Sequence, residues 1–352
     1  MPAMKMPSMS MKWMRLAASA VLLAGALGVA HAQCKYKKIG SIPYEWVGPR
    51  LTIAGSINGK PLKMVVDTGA VWTTLSRKLV ESMNLPVEHA YGEVAGFGGR
   101  SEISLVSLDQ LSIGRFEWHR TKAVVAWDTS KGIEDVLVSG NVLLQRDVEM
   151  DGQQINIFSP SGCDDAALGY WADDVPWVST GTANDQDMRV TITVQVDGQP
   201  VQALIDTGAP TTMVDDSVAR RLGFDPDDPA SRIGDAGGIG VHRAAVSVAT
   251  FDTIAIGPEV IHHARVRVAD LWKGVRDDYH RNSTAAYVDE QPRMILGADF
   301  VRSHHLLFAG SQRRLYFSYL GGDVFIAPKP RPAAAAAASG VAPAGSAPAA
   351  GG

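Results

Sequence analysis

The chain has 352 residues, 46% of them hydrophobic, and carries 33 Lys and Arg against 37 Asp and Glu for a net charge of −4. That apolar content supports packed cores and excludes a disordered chain, and the length allows two or three domains. The acidic balance argues against a nucleic-acid partner, because phosphate binding draws on a surplus of Lys and Arg.

The first residues read as a leader. Lys5, Lys12 and Arg15 precede an apolar run over 16–30, and Ala30-His31-Ala32 supplies a small-x-small cleavage pattern, so a signal peptide is expected over 1–32. The apolar run is too short for a spanning helix, so no membrane contact is expected after cleavage, and the mature protein would be exported, periplasmic or secreted. Gln33 stands where a small residue would precede a lipidated Cys34, which disfavours a lipid anchor. Removing the leader takes three positive charges and moves the net charge to −7. The two cysteines, Cys34 and Cys163, flank the first half of the mature chain, and in an oxidising compartment a bridge would tie its entry to its exit; two free thiols are the alternative.

Residues 35–49 form a mixed polar and aromatic lead-in, which leaves open whether 33–49 acts as a short inhibitory pro-segment. The stretch Leu51-Thr52-Ile53-Ala54-Gly55-Ser56-Ile57 alternates like a strand, Asn58-Gly59 is a strong hairpin-turn signal, and 61–66 returns as a second strand ending on Asp67. The same phrase recurs 139 residues later: 190–196 alternates, Asp197-Gly198 turns, and 200–205 leads into Asp206. Thr73-Thr74-Leu75 matches Thr212-Met213-Val214, short helices are expected at 78–83 and 217–222, and Gly-rich hairpins follow at 95–100 and 236–241. Each half closes with an aliphatic run into Gly140 or Gly297, then a terminal strand at 154–158 or 314–319.

A period this long marks a duplicated domain, mostly β with one or two short helices per copy. The expected organisation is a signal peptide over 1–32, a first lobe over 33–160, a partly packed linker over 161–187, a second lobe over 188–322, and a disordered Pro/Ala/Gly tail over 323–352. The stretch 270–292 is a charged insert of the second lobe.

Each copy delivers a carboxylate to a turn: Val65-Val66-Asp67-Thr68-Gly69-Ala70 and Leu204-Ile205-Asp206-Thr207-Gly208-Ala209. A lone Asp-Thr-Gly is a common tripeptide, but two at equivalent positions of a duplicated domain would meet under pseudo-twofold packing. Two carboxylates a few ångström apart share a proton, which provides one base and one acid at once. A water between them could be deprotonated by one while the other polarises a carbonyl, with no metal or covalent nucleophile. Gly69 and Gly208 let the backbone turn, and Thr68 and Thr207 can bond across the lobes and hold the acids in register.

These paired motifs, each followed by a Gly-rich hairpin and an aliphatic-aliphatic-Gly segment, resemble the aspartic peptidases of the retropepsin and pepsin superfamily over nearly all of residues 50–320. The resemblance implies two pseudo-symmetric β-barrel lobes with a catalytic cleft between them, and Asp67 and Asp206 as the dyad. It implies substrate-covering flaps at Gly96, Phe97, Gly98 and Gly99 and at Gly237, Gly238, Ile239 and Gly240. Ala70 and Ala209 follow the retroviral pattern, where pepsins carry Ser or Thr, and this motivates an expected pH optimum between mildly acidic and neutral. Ser139 stands where the family has an aliphatic before the glycine.

The expected activity is endopeptidase cleavage of an extended peptide or protein by a monomeric pseudo-dimer without cofactor, with Trp72, Phe97 and Ile239 as pocket contributors. The alternatives are an inactive peptide-binding module on the same fold and a homodimer that pairs equivalent lobes. Other features carry plainer readings. His262-His263 and His304-His305 are neighbours that face opposite sides of a strand, so they are surface or core histidines and no metal site is expected. Residues 225–229 read as a solvated loop, 96–99 are too short for a phosphate loop, and the glycosylation pattern at Asn282 is given no role.

Overall fold

The computed structural model describes residues 34–126, 135–181, 187–278 and 290–328. The expected signal peptide, the glycosylation pattern at Asn282 and nearly all of the tail lie outside the described residues.

In chain order the first lobe holds β1 (Lys35–Val47), β2 (Arg50–Ile57), β3 (Lys60–Asp67), β4 (Thr74–Leu75), α1 (Arg77–Ser82), β5 (Val87–Gly96), β6 (Gly99–Ile113), β7 (Phe116–Ala126), β8 (Val136–Ser139), α2 (Gly140–Leu143), β9 (Asp147–Met150) and β10 (Gln154–Ser161). The second holds β11 (Trp177–Gly181), β12 (Thr191–Val196), β13 (Gln199–Ile205), β14 (Met213–Asp215), α3 (Asp216–Arg221), β15 (Arg232–Ala236), β16 (Ala244–Ile256), β17 (Glu259–Ala269), α4 (Lys273–Asp278), β18 (Met294–Leu296), α5 (Ala298–Arg302), β19 (His304–Ala309) and β20 (Arg314–Tyr319).

The strands of each lobe close on themselves. In the first, β2 pairs β3, β3 pairs β8, β8 pairs β4, β4 pairs β7, β7 pairs β6, and β6 returns to β2. The second repeats this ring with β12, β13, β18, β14, β17 and β16. Local sequence explains the matching parts. Asn58 and Gly59 sit at φ of 48° and 78°, and Asp197 and Gly198 at 45° and 77°, the left-handed pair that a tight hairpin requires. In β12 alternation places Ile192, Val194 and Val196 inside and Gln195 outside. Ser76 caps α1 by accepting from Leu79 N, and Asp215 caps α3 by accepting from Ser217 N.

A third sheet joins the lobes in the order β1, β10, β9, β19, β20, β11, antiparallel throughout. At its centre Met150, Glu149 and Val148 of β9 face Leu306, Leu307 and Phe308 of β19.

The structure adds detail to three of these segments. Residues 35–47 form strand: β1 pairs β10 as far as Pro43 and β2 from Tyr44 onward, so its backbone is committed to the sheets. Only Ile42 of its thirteen residues is fully buried, so the stretch lacks a readable period. The linker contains β11 and buries Leu168 and Val175 beside Leu307 and Tyr316. The tail begins later than 323, because Val324 and Phe325 pack on the core and Ile326 N donates to Asp299.

The pairing of Lys35 with Ser161 sets Cys34 beside Cys163, and the two form a disulfide with Cα atoms 4.4 Å apart. The bridge closes a loop of 129 residues at the edge of the joining sheet. Cys34→Ser is expected to cost about 3 kcal/mol, mainly through a freer unfolded chain. Comparing denaturant midpoints of the oxidised and reduced wild type with the variant checks this, and a midpoint insensitive to reductant would refute it.

Candidate active site

The two Asp-Thr-Gly loops sit at the ends of β3 and β13. Val66 and Ile205 are fully buried, and each loop is held from below: Asp67 pairs with Ser139 of β8 in parallel register, while Asp206 N donates to Leu296 O of β18 at 2.9 Å. Buried aliphatics thus anchor each strand so that the next residue must emerge at the lobe boundary.

The lobes interlock there. Thr68 N donates to Thr207 Oγ1 and Thr207 N to Thr68 Oγ1, both at 3.0 Å. Thr68 Oγ1 in turn donates to Ile205 O at 2.8 Å and Thr207 Oγ1 to Val66 O at 2.7 Å. Both threonines are fully buried, so four reciprocal bonds in a dry setting fix one loop against the other.

Asp67 and Asp206 meet across this junction. A Cβ on Gly69 would lie 2.3 Å from Asp206 Cγ, and one on Gly208 would lie 2.4 Å from Asp67 Cγ. Each glycine is therefore needed because the other lobe's carboxylate occupies the place of its side chain. Burial, followed by the charge of Asp206 and a hydrogen bond to it, holds Asp67 well above the usual carboxylate range. Burial raises Asp206 too, but Gly208 N at 2.8 Å and Ala209 N at 3.2 Å donate to its Oδ1, whereas Asp67 receives Gly69 N at 3.1 Å. The surplus of donors stabilises charge on Asp206 and leaves the shared proton on Asp67.

Two arginines escaped the sequence reading. Arg50 Nη1 crosses the boundary to donate to Gly208 O, and its charge pulls Asp67 downward against the larger effect of burial. Arg189 binds Asp187 through Nε and Nη2 and acts likewise on Asp206. The two stand 139 residues apart, so the repeat that found the acids would have found them.

Beneath the loops the lobes diverge. Gly297 N donates to Thr212 Oγ1 at 3.1 Å, and that hydroxyl donates to buried Asp299 at 2.8 Å. In the first lobe Ser139 N donates to Thr73 Oγ1 and the two hydroxyls lie 3.3 Å apart. Ser139 thus supplies in its lobe the polar partner that Asp299 provides in the other.

The Gly-rich segments meet each other. Gly96 and Gly99 close β5 and β6 around a Phe97-Gly98 turn, while residues 237–243 arc between β15 and β16. His242 N donates to Gly98 O at 2.8 Å, Gly238 lies against Phe97, and Ile239 packs on Gly96. A Cβ on Gly240, at φ +90°, would lie 2.2 Å from Gly98 O. Phe97 rests on the second-lobe cluster that includes Met213 and Ile295. Trp72 stays exposed on the first loop, apart from that cluster.

His304 and His305 diverge, with His304 Nε2 facing Glu259 at 3.0 Å and His305 Nε2 facing Glu149 at 2.8 Å, while His262 and His263 are both exposed and His263 stands at φ of 50°. Asp215, Asp216 and Asp270 lie close together, but Arg293, Arg220 and Arg276 respectively pair with them. Among the described residues no helix is long and apolar enough to cross a membrane.

A family model described as aspartyl protease matches residues 53–141 and 192–300, one segment in each lobe. The chain belongs to the aspartyl protease family. Among solved structures, the aspartic proteinase from Irpex lacteus is similar at 10% identity and a TM-score of 0.44, covering 84% of this chain and all of that one. A retropepsin-like aspartic protease from Rickettsia conorii aligns with 37% of this chain and 96% of its own, at 16% identity and a TM-score of 0.27. No curated protein matches the sequence.

Proposed function

We propose that this aspartyl protease family member is an active endopeptidase that hydrolyses peptide bonds with water activated between Asp67 and Asp206. The observation that carries the reading is the proton-sharing pair itself, held by reciprocal threonine bonds and approached by no side chain from either glycine. In this mechanism ionised Asp206 takes a proton from the water as it attacks the carbonyl carbon. Asp67 gives its proton to the carbonyl oxygen, and the resulting tetrahedral diol collapses when a proton reaches the amine. The residues supply acid and base, so the reaction as proposed draws on neither metal nor cofactor.

The substrate would be an extended peptide or unfolded protein beneath the Gly-rich segments, where strand-like backbone bonding gives affinity and alternating pockets give specificity. We further propose export and action as a monomer, since one chain already supplies both acids. Incubation with unfolded casein, followed by mass spectrometry of the fragments, tests the reading. Cleavage by the wild type, with none by Asp206→Asn, supports it. Binding without cleavage would favour the inactive peptide-binding module.

The pH dependence follows from the pair. Activity requires one proton on two carboxylates, so kcat/KM should fall in acid as Asp206 gains a proton and in alkali as Asp67 loses one. Because burial raises both groups, and alanine replaces the extra motif hydroxyl of pepsins, the bell should peak between mildly acidic and neutral pH. A kcat/KM profile peaking only in strong acid would contradict this.

A further inference from the structure

The charged insert of the second lobe contains an acid that touches both Gly-rich segments at once. Asp278, the last residue of α4, accepts the backbone N–H of Arg100 on Oδ2 at 2.7 Å and faces His242 Nε2 with Oδ1 at 2.6 Å. Arg100 follows the first tip, and His242 belongs to the second segment and also donates its own backbone N–H to Gly98. A carboxylate only accepts, so His242 carries its proton on Nε2 in this contact. The other charged side chains of α4 have separate partners: Lys273 pairs with Asp277 and Arg276 with Asp270.

The backbone of α4 is fitted to the same place. A Cβ on Gly274 would lie 2.6 Å from Gly99 N and 2.7 Å from Gly98 C, so helix and tip pack main chain to main chain. Val275 and Trp272 belong to the apolar cluster that receives Phe97. Helix, carboxylate and cluster therefore all bear on the two glycine-rich tips.

We propose that Asp278 is a positioning residue, a clasp that holds both Gly-rich segments shut from the second lobe and is released when substrate enters. The clasp reaches the first-lobe tip and the second-lobe segment from a single residue of α4. This deepens the cleavage reading and rests on it for its purpose, since closure matters only if a peptide must enter.

Hydrogen exchange of the full mature chain tests the clasp without any substrate. The Arg100 and His242 amides report on it directly, and the Thr68 and Thr207 amides, bonded across the catalytic loops, serve as controls. Asp278→Ala is expected to speed exchange at Arg100 and His242 by about tenfold or more, the worth of a hydrogen bond to a charged group, and to leave the controls unchanged. Gly274→Ala should do the same from a different lesion, by pushing the helix off the tip, and Asp278→Glu should restore part of the protection. Unchanged exchange at Arg100 and His242 in both alanine variants would overturn the clasp, as would equal acceleration at Thr68 and Thr207. Failure of the cleavage reading would show instead in the casein digest and leave this result standing.

Discussion

Asp67→Asn and Asp206→Asn are each expected to lower kcat/KM by about a thousandfold or more, the range for removing positioned acid or base catalysis. Either amide leaves the loop bonds through Thr68 and Thr207 intact, since those use backbone and hydroxyl groups. The loss should therefore appear in rate without a loss of fold. The same substitution carries a stability signature. The folded pKa of Asp67 stands well above its ordinary value of 3.8, so the stability it contributes is complete below pH 3.8 and is lost as pH rises through the folded value. At neutral pH the crowded pair opposes folding, and Asp67→Asn should melt higher than wild type at pH 7, with the gap shrinking towards pH 4. Melting curves at both pH values, read beside initial rates on casein, check the two halves together. Residual cleavage at wild-type rate in either variant would remove the dyad from the mechanism.

Glu149→Ala is expected to cost about 3–5 kcal/mol, the range for breaking one side of a buried charged network. Glu149 is 1% exposed at the centre of the joining sheet and accepts from His305 Nε2 at 2.8 Å, Tyr170 OH at 2.8 Å and Asn156 Nδ2 at 2.7 Å. It lies on β9 and His305 on β19, so the contact ties lobe to lobe, and Trp171 stacks on the His305 ring at 3.8 Å. Burial pushes the Glu149 pKa up, but the bonds from His305, Tyr170 and Asn156 together outweigh it and the net shift is downward from 4.5. Its stabilisation is thus complete above about pH 4.5 and is lost as pH falls through the lower folded value. The gap between wild type and variant in chemical denaturation should narrow from pH 7 towards pH 3. A constant gap across that range would place the loss in packing and not in the charge.

The repeat made the central part of this molecule readable. Asn58-Gly59 and Asp197-Gly198 announced hairpins because those turns demand left-handed backbone that few residues accept, and the aliphatic pairs before Asp67 and Asp206 announced buried strand ends. The strand β1 was not readable, because it runs along an edge with one fully buried side chain and leaves no period to detect. The linker shows no period for a similar reason: β11 contributes five residues and gains its order by pairing with β20 and β12. Arg50 and Arg189 share the offset of 139, but a guanidinium at or just before the start of a strand has no local signature.

The amino-acid sequence by itself determined the duplication, the closing hairpins and the two carboxylates, because those features depend on local backbone freedom and on patterns repeated at one spacing, whereas the need for glycine two residues after each acid comes from the other lobe's carboxylate. Only the tertiary structure decided which carboxylate keeps the proton, because that depends on how many N–H donors each loop turns inward. It also decided that one helix of an unremarkable charged insert reaches both Gly-rich tips, since Asp278 lies 178 residues from Arg100 and 36 from His242 and no periodicity connects them.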